Sequence, residues 1–167
     1  LENRDGNCNV RFKQAETHRR FFEMMRSFGI HVRSFRADCG SYSEDIVKVV
    51  MEHTEKFYIR AERYAGLYEK VKRQTGWTTV EIGFQHYDVQ SFPFESFEDV
   101  KHCRLVVQRQ RKQKGEQLDL FDGEYTYRCI LTNDWDMTDE EIILHYNKRG
   151  SAEQVFDRQN NDFGWAH

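Results

Sequence analysis

The sequence predicts a single mixed α/β domain, on three observations. Apolar residues recur at helical spacing over 16–28, 44–50 and 64–71, short apolar runs at 30–37 and 57–61 alternate with them, and from Trp77 the period becomes two-residue. Alternating helices and strands suit a partly parallel sheet, because parallel strands must be joined by crossovers. A chain of 167 residues can bury the core of one domain and is short for two. With 38% hydrophobic and 14% aromatic residues, it can fold despite being 32% charged.

Each element follows in order. Asp5-Gly6 is a turn signal, so Leu1 and residues 10–12 flank a hairpin or bend. Residues 16–28 place Phe21, Phe22, Met25 and Phe28 on one helical face, with Gly29 as the C-terminal cap. A strand over 30–37 delivers Asp38 at its carboxyl end. Ser41 with Glu44 three residues on fits a capping box for a second helix, whose buried stripe is Ile46, Val47 and Val50. Residues 57–61 make a short buried strand, and 64–71 a helix with Tyr64, Leu67, Tyr68 and Val71 on one side. Strand candidates follow at 77–82, 84–89, 102–109 and 124–132, with the only proline, Pro93, between two of them. The loop 110–123 overlaps the basic run "RQRKQKGEQ". Thr138 with Glu141 and Ser151 with Gln154 are capping boxes for two closing helices separated at Gly150. The organisation predicted is a first part over 1–75, a β-rich block over 76–133 and closing helices over 134–167.

Charge and cysteine usage narrow the function classes. A formal net charge of −3 excludes a polycation that binds nucleic acid by bulk attraction, so any DNA contact must come from local patches. Cys8, Cys39, Cys103 and Cys129 show no C-x-x-C and are expected to be reduced core or near-core thiols. No run approaches the roughly 18 apolar residues of a membrane span, and no charged-then-apolar leader opens the chain, so no membrane partner and a cytoplasmic location are expected. A start at Leu1 and an end at "NDFGWAH", directly after an apparent helix, suggest a domain cut from a longer protein.

Two places carry candidate chemistry. Asp38, followed by Cys39-Gly40-Ser41, stands where open α/β sheets hold their ligands, although an aspartate there can equally cap a turn. In "HYNKRGSAEQVFDRQNNDFG", Tyr146, Arg149 and Glu153 are spaced Tyr-x-x-Arg-x-x-x-Glu. If Ser151 is the N-cap, Glu153 lies in the first helical turn, and Asp157 and Asn160 follow on its side. A solvated helix face, with Glu153 favoured by the helix dipole, is the plainer alternative.

The order "RADCGSYS", then a β-rich block, then "YNKRGSAE" resembles the catalytic domain of bacterial insertion-sequence transposases of the DDE type. It looks most like the branch with a Tyr-x-x-Arg-x-x-x-Glu-x-x-x-x-x-x-Lys motif. The resemblance implies an RNase H-like fold, here partial and without its N-terminal strands, with a β-rich insertion between the second Asp and the Glu helix. It places the second acidic residue of the family triad at Asp38, the Glu at Glu153, and the Tyr and Arg at Tyr146 and Arg149. The Lys position holds Asn160, which can hydrogen-bond a phosphate but brings no positive charge. The first triad Asp belongs on an early strand, two strands ahead of the first helix; only residues 1–4 precede the Asp5-Gly6 turn, so the expectation is that the triad begins upstream, with Asp5 as the lesser alternative.

The resemblance implies metal-assisted phosphoryl transfer at the ends of an element and at its target DNA. Carboxylates are hard oxygen ligands for Mg2+ or Mn2+, and two such ions, about 4 Å apart, can clamp the attacking and leaving oxygens of an in-line displacement. Asp38 and Glu153 would share that task, with Arg149 on a phosphate and Tyr146 on a phosphate or base. Arg109, Arg111 and Lys112, with Arg104 and Lys114, form a basic stretch that either tracks a DNA backbone or is a solvated loop. Trp77 and Trp135 could stack on an unpaired base, though burial accounts for them as well. Relatives usually act as dimers, which implies a homodimer of the complete protein. With one triad member absent, the 167-residue piece alone is expected to be inactive. The competing functions are a metal-dependent nuclease on the same fold and a non-catalytic or decayed DNA-binding module.

Overall fold

The computed structural model describes residues 13–112 and 124–148. Its elements are α1 (Gln14–Ser27), β1 (Ser34–Ala37), a 3-10 turn (Cys39–Ser41), α2 (Glu44–His53), β2 (Lys56–Arg60), α3 (Ala65–Lys72), β3 (Thr78–Ile82), β4 (Gln85–Pro93), β5 (Arg104–Arg111), β6 (Tyr125–Thr132) and α4 (Asp139–Asn147). The mixed α/β class is as the sequence predicts. One six-stranded sheet runs β1-β2-β6-β5-β4-β3; β1 and β2 are parallel and every other pair is antiparallel. The β-rich block therefore joins the same sheet as the first two strands, through β2 and β6.

Both faces of the sheet are covered. Phe22 of α1, Ile46, Val47 and Val50 of α2, and Leu67, Tyr68 and Val71 of α3 pack with Phe57, Ile59, Leu105, Val107 and Leu131. On the opposite face Ile142 and Ile143 of α4 pack with Tyr58, Val106 and Ile130. Strand alternation divides the two sets, so Val106 and Val107 enter different cores. Burial of these side chains on both faces is the main stabilising term.

Several local expectations are corrected. In α1 only Phe22 is buried; Phe21 lies about 100° round the helix from it, and Phe28 is the cap, beyond the last helical residue and 73% exposed. Gly29, at φ +71°, ends α1 in a Schellman motif, with the Gly29 and Ile30 N–H groups donating to the Arg26 and Met25 carbonyls. The first strand begins at Ser34, not at residue 30, because pairing with β2 starts where Lys56 N–H donates to the Arg33 carbonyl. The cap of α2 is Ser43, and the box at Ser41 and Glu44 does not form. Ser41 Oγ instead accepts from Gln14 Nε2 at 3.1 Å, and the Glu44 carboxylate accepts from the Asp99 N–H at 2.6 Å. Tyr64 caps α3 from outside the helix. Pro93 closes β4 instead of separating two strands, the terminal position where a missing N–H costs least.

The capping box at Thr138 and Glu141 forms at the start of α4. The loop before it is organised by Asp134, only 3% exposed, whose carboxylate accepts from Tyr58 Oη at 2.6 Å and Lys56 Nζ at 3.3 Å. Arg104 is buried too, so it is no part of a solvated basic stretch: it donates to the carbonyls of Asp134 and Met137 and to Asp139 Oδ1. The second closing capping box, at Ser151 and Gln154, lies outside the described residues, as do Lys114 and the turn at Asp5-Gly6.

Candidate active site

Asp38 follows directly on β1, at the carboxyl end of the parallel pair β1 and β2. Its side chain is exposed, and Oδ1 accepts from the Gly40 N–H at 2.9 Å, starting the 3-10 turn. The turn-capping role and a ligand role are compatible, because the second carboxylate oxygen is not used by that bond. Gly40 suits the turn: a Cβ there would meet Asp38 Oδ1 at 3.0 Å.

The C-terminal end of α4 is fastened beside Asp38. Tyr146 Oη donates to the Ala37 carbonyl at 3.1 Å, and Arg36 Nη1 donates to the His145 carbonyl at 2.7 Å. The bond from Arg36 places a guanidinium on a carbonyl of the last helical turn, where positive charge offsets the helix dipole. His145 tilts against Tyr58 with ring centroids 4.5 Å apart. Burial, reinforced by the nearby Arg36 and Lys148 charges, lowers the pKa of its imidazole below the ordinary histidine value. Tyr58 is pushed above its ordinary phenol value by burial and by its bond to Asp134. Asp134 itself is lifted by burial, but the Tyr58 hydroxyl, the Asp136 N–H and Lys56 outweigh that and leave its pKa below the usual carboxylate value. These groups brace α4 and β2 and are not aimed at an open site.

The other predicted residues separate into distinct environments. Arg109 stacks over Trp77 and Tyr125, with its guanidinium carbon 4.0 and 4.4 Å from the ring centroids, and its Nε donates to Asp88 Oδ2 at 3.1 Å. Arg111 is exposed at the end of β5 and lies 3.6 Å from Glu124. Lys112 follows it, its N–H donating to the Glu124 carbonyl at 2.9 Å. Trp135 is half exposed over Arg104 and donates to the His102 carbonyl, so burial does not account for it. Cys103 and Cys129 are buried and Cys39 is exposed; burial pushes the Cys103 thiol up to about 11, so it stays protonated at neutral pH. Arg149, Glu153 and Asn160 lie outside the described residues. Among the described residues, no cluster of three or more His, Cys, Asp or Glu side chains could hold a metal ion.

Some residues near this face escape notice in the sequence. Arg36 looks like one more surface charge in a strand, yet it ties β1 to α4. Arg60 and Arg128 share a face with it by register. The signal that could have found them is the two-residue period itself, which puts Arg128 and Ile130 on one side of β6.

The model of the transposase DDE domain matches residues 7–167. The chain belongs to the transposase DDE domain family. Its members' activity is transposase-type DNA cleavage. No curated protein matches the chain. Among the described residues of this DDE-family chain, no helix is long and apolar enough to cross a membrane.

Proposed function

We propose that this chain is part of the catalytic domain of a bacterial DNA transposase, RNase H-like in fold, which cuts and joins DNA at element ends by two-metal phosphoryl transfer. The observation that carries the proposal is the bond from Tyr146 to the Ala37 carbonyl, which fastens the end of α4 beside Asp38. Glu153 is seven residues beyond Tyr146. That is the spacing of the family's Tyr-x-x-Arg-x-x-x-Glu motif, and on it Glu153 is assigned to the site shared with Asp38. On this proposal residues 1–75 and 134–167 belong to the core, and 76–133 is an insertion whose strands prolong the sheet from β2 outward.

Asp38 and Glu153 would hold Mg2+ or Mn2+; two exposed carboxylates of this kind are the hard oxygen donors such ions take. The ions, when bound, supply charge neutralisation for the attacking and leaving oxygens of the phosphodiester. Asp38 is pre-oriented by the bond from the Gly40 N–H to its Oδ1. Tyr146, packed against the core under α4 and bonded to the Ala37 carbonyl, holds the helix end against β1. Arg149 and Asn160 are assigned to phosphate contacts, and Arg111 and Lys112, with Arg109 behind them, to the flanking DNA. The complete protein would act on its element ends and target DNA as a homodimer.

In the complete protein, Asp38→Ala and Glu153→Ala should each reduce strand cleavage of an element-end duplex by at least about 10^3-fold, an effect of the size lost with a catalytic group, with an unchanged melting temperature. Normal cleavage by either variant removes that residue from the site. Wild-type DNA binding together with no metal-dependent cleavage by the unmodified protein would leave the non-catalytic DNA-binding module, the outcome that Asn160 in place of the family lysine favours.

A further inference from the structure

One side of β4 is only partly paired. The ladder with β3 begins at Thr78 opposite Val89, so residues 90–93 have β5 on one side and, among the described residues, no strand on the other. Beside that open edge, between α3 and the end of β4, Leu67, Lys70, Arg73, Phe92, Pro93 and Phe94 line a cavity of about 240 Å3. Its floor is apolar, with Leu67 and Phe94 buried and Phe92 half-buried. Its rim is basic: Lys70 Nζ donates to Ser96 Oγ at 3.0 Å, and the Arg73 guanidinium has no ion-pair partner among the described residues. Glu95 is the one carboxylate in the lining against those two cations.

The edge has an acceptor to spare. Gln90, two residues before Phe92 and so on its face of β4, donates from Nε2 to the Thr75 carbonyl at 2.8 Å, while its buried Oε1 has no partner among the described residues. Buried amide oxygens are almost always bonded. An open edge accepts an added strand, so this edge, its apolar floor and its basic rim together select an extended peptide that is apolar and acidic. A stretch of that composition lies between β5 and β6. Residues 115–123 read "GEQLDLFDG", with carboxylates at Glu116, Asp119 and Asp122 and no cation. At strand period Leu118, Leu120 and Asp122 share one side. The stretch cannot reach the cavity of its own copy. Leu105, the partner of Phe92, is at the opposite end of β5 from Lys112, about 24 Å away along the strand, whereas Asp122 is two residues from Glu124 and reaches about 7 Å. In two copies lying side by side with their β5 strands antiparallel, each stretch meets the other copy's cavity. The two contacts are then identical, and a two-fold dimer closes.

We propose that residues 118–122 of one copy of this chain dock as an extended strand beside residues 90–93 of a second copy, with Leu118 and Leu120 on the floor formed by Leu67, Phe92 and Phe94, and Asp122 on Arg73. The inference rests on the homodimer of the transposase proposal and assigns its interface; it makes no use of Asp38 or Glu153.

The test is sedimentation equilibrium of the full chain at low salt. Arg73→Asp and Asp122→Arg should each weaken the dimer by about 10-fold, as expected for a charge pair held across an interface. Both should melt at the wild-type temperature, which separates a lost interface from a lost fold. An equimolar mixture of the two variants should dimerise as tightly as the unmodified chain, because each contact of the mixed dimer then joins opposite charges. A contact made within one copy would not be restored by mixing. The proposal is overturned if the unmodified chain is monomeric at millimolar concentration, if either variant dimerises like wild type, or if the mixture associates no better than its components. A monomeric chain whose complete protein still cleaves DNA in an Asp38-dependent way would end the interface and leave the active-site proposal. Normal cleavage by Asp38→Ala in the complete protein would end the active-site proposal and leave the sedimentation result standing.

Discussion

Asp134 joins several parts of the molecule. Its carboxylate meets the Tyr58 hydroxyl, Lys56 and the N–H groups of Asp136 and Met137, while its carbonyl accepts from Arg104. A buried hydroxyl left without its acceptor loses its desolvation free energy unrepaid. Asp134→Ala should therefore destabilise the chain by about 2–4 kcal/mol, read from the urea unfolding midpoint. A midpoint equal to wild type would mean that the loop 133–138 is held by Arg104 alone. The same residue scale separates two neighbours that look alike in sequence. Arg104 is spent inside the fold on carbonyls and Asp139, whereas Arg111 is exposed at the strand end.

At the scale of elements, the β3–β4 hairpin stands out. Its two-residue turn, Gly83-Phe84, has φ +59° and +63°, the signs of a type I′ turn, which matches the twist of the flanking strands but favours Gly or Asn at both positions. Phe84 is exposed and buries nothing in return. Phe84→Gly should raise stability by about 0.5–1 kcal/mol, seen as a higher melting temperature. A lower one would show that the ring packs against the protein. The helices tell the same story of local rules meeting tertiary demands. The signals for α2 and α3 were legible as apolar stripes, and that for α4 as a capping box that forms. The box expected at Ser41 and Glu44 does not form, because Gln14 and the Asp99 N–H, both distant in sequence, take those two side chains. Neither competitor is visible from a window of four residues.

For the whole molecule, acid should be destabilising in two steps. His145 is held below its ordinary pKa, so the unfolded chain binds a proton more readily. Its contribution is complete above about pH 6.5 and declines as the pH falls through that value toward the lowered folded pKa. Asp134 is also lowered, so its contribution is complete above about pH 4 and is lost as the pH falls through its folded pKa. Urea midpoints at about pH 7.5, 5.5 and 3.5 should descend in that order, and His145→Phe should flatten the first step while leaving the second. An unchanged first step in that variant would assign it to another histidine.

By itself the sequence determined the α/β class, most of the elements, the placement of Asp38 at a strand end and the tyrosine-to-glutamate spacing that resembles the DDE family. These are local properties: period, cap and turn residues act within a few positions and survive any global arrangement. Only the tertiary structure decided that β6 joins β2, that α4 comes to rest with Tyr146 against the residue before Asp38, and that Leu67 and Phe92 line one cavity. Each depends on which strands become neighbours, and that is set by burying two apolar faces at once, a condition on the whole chain that no short stretch of it contains.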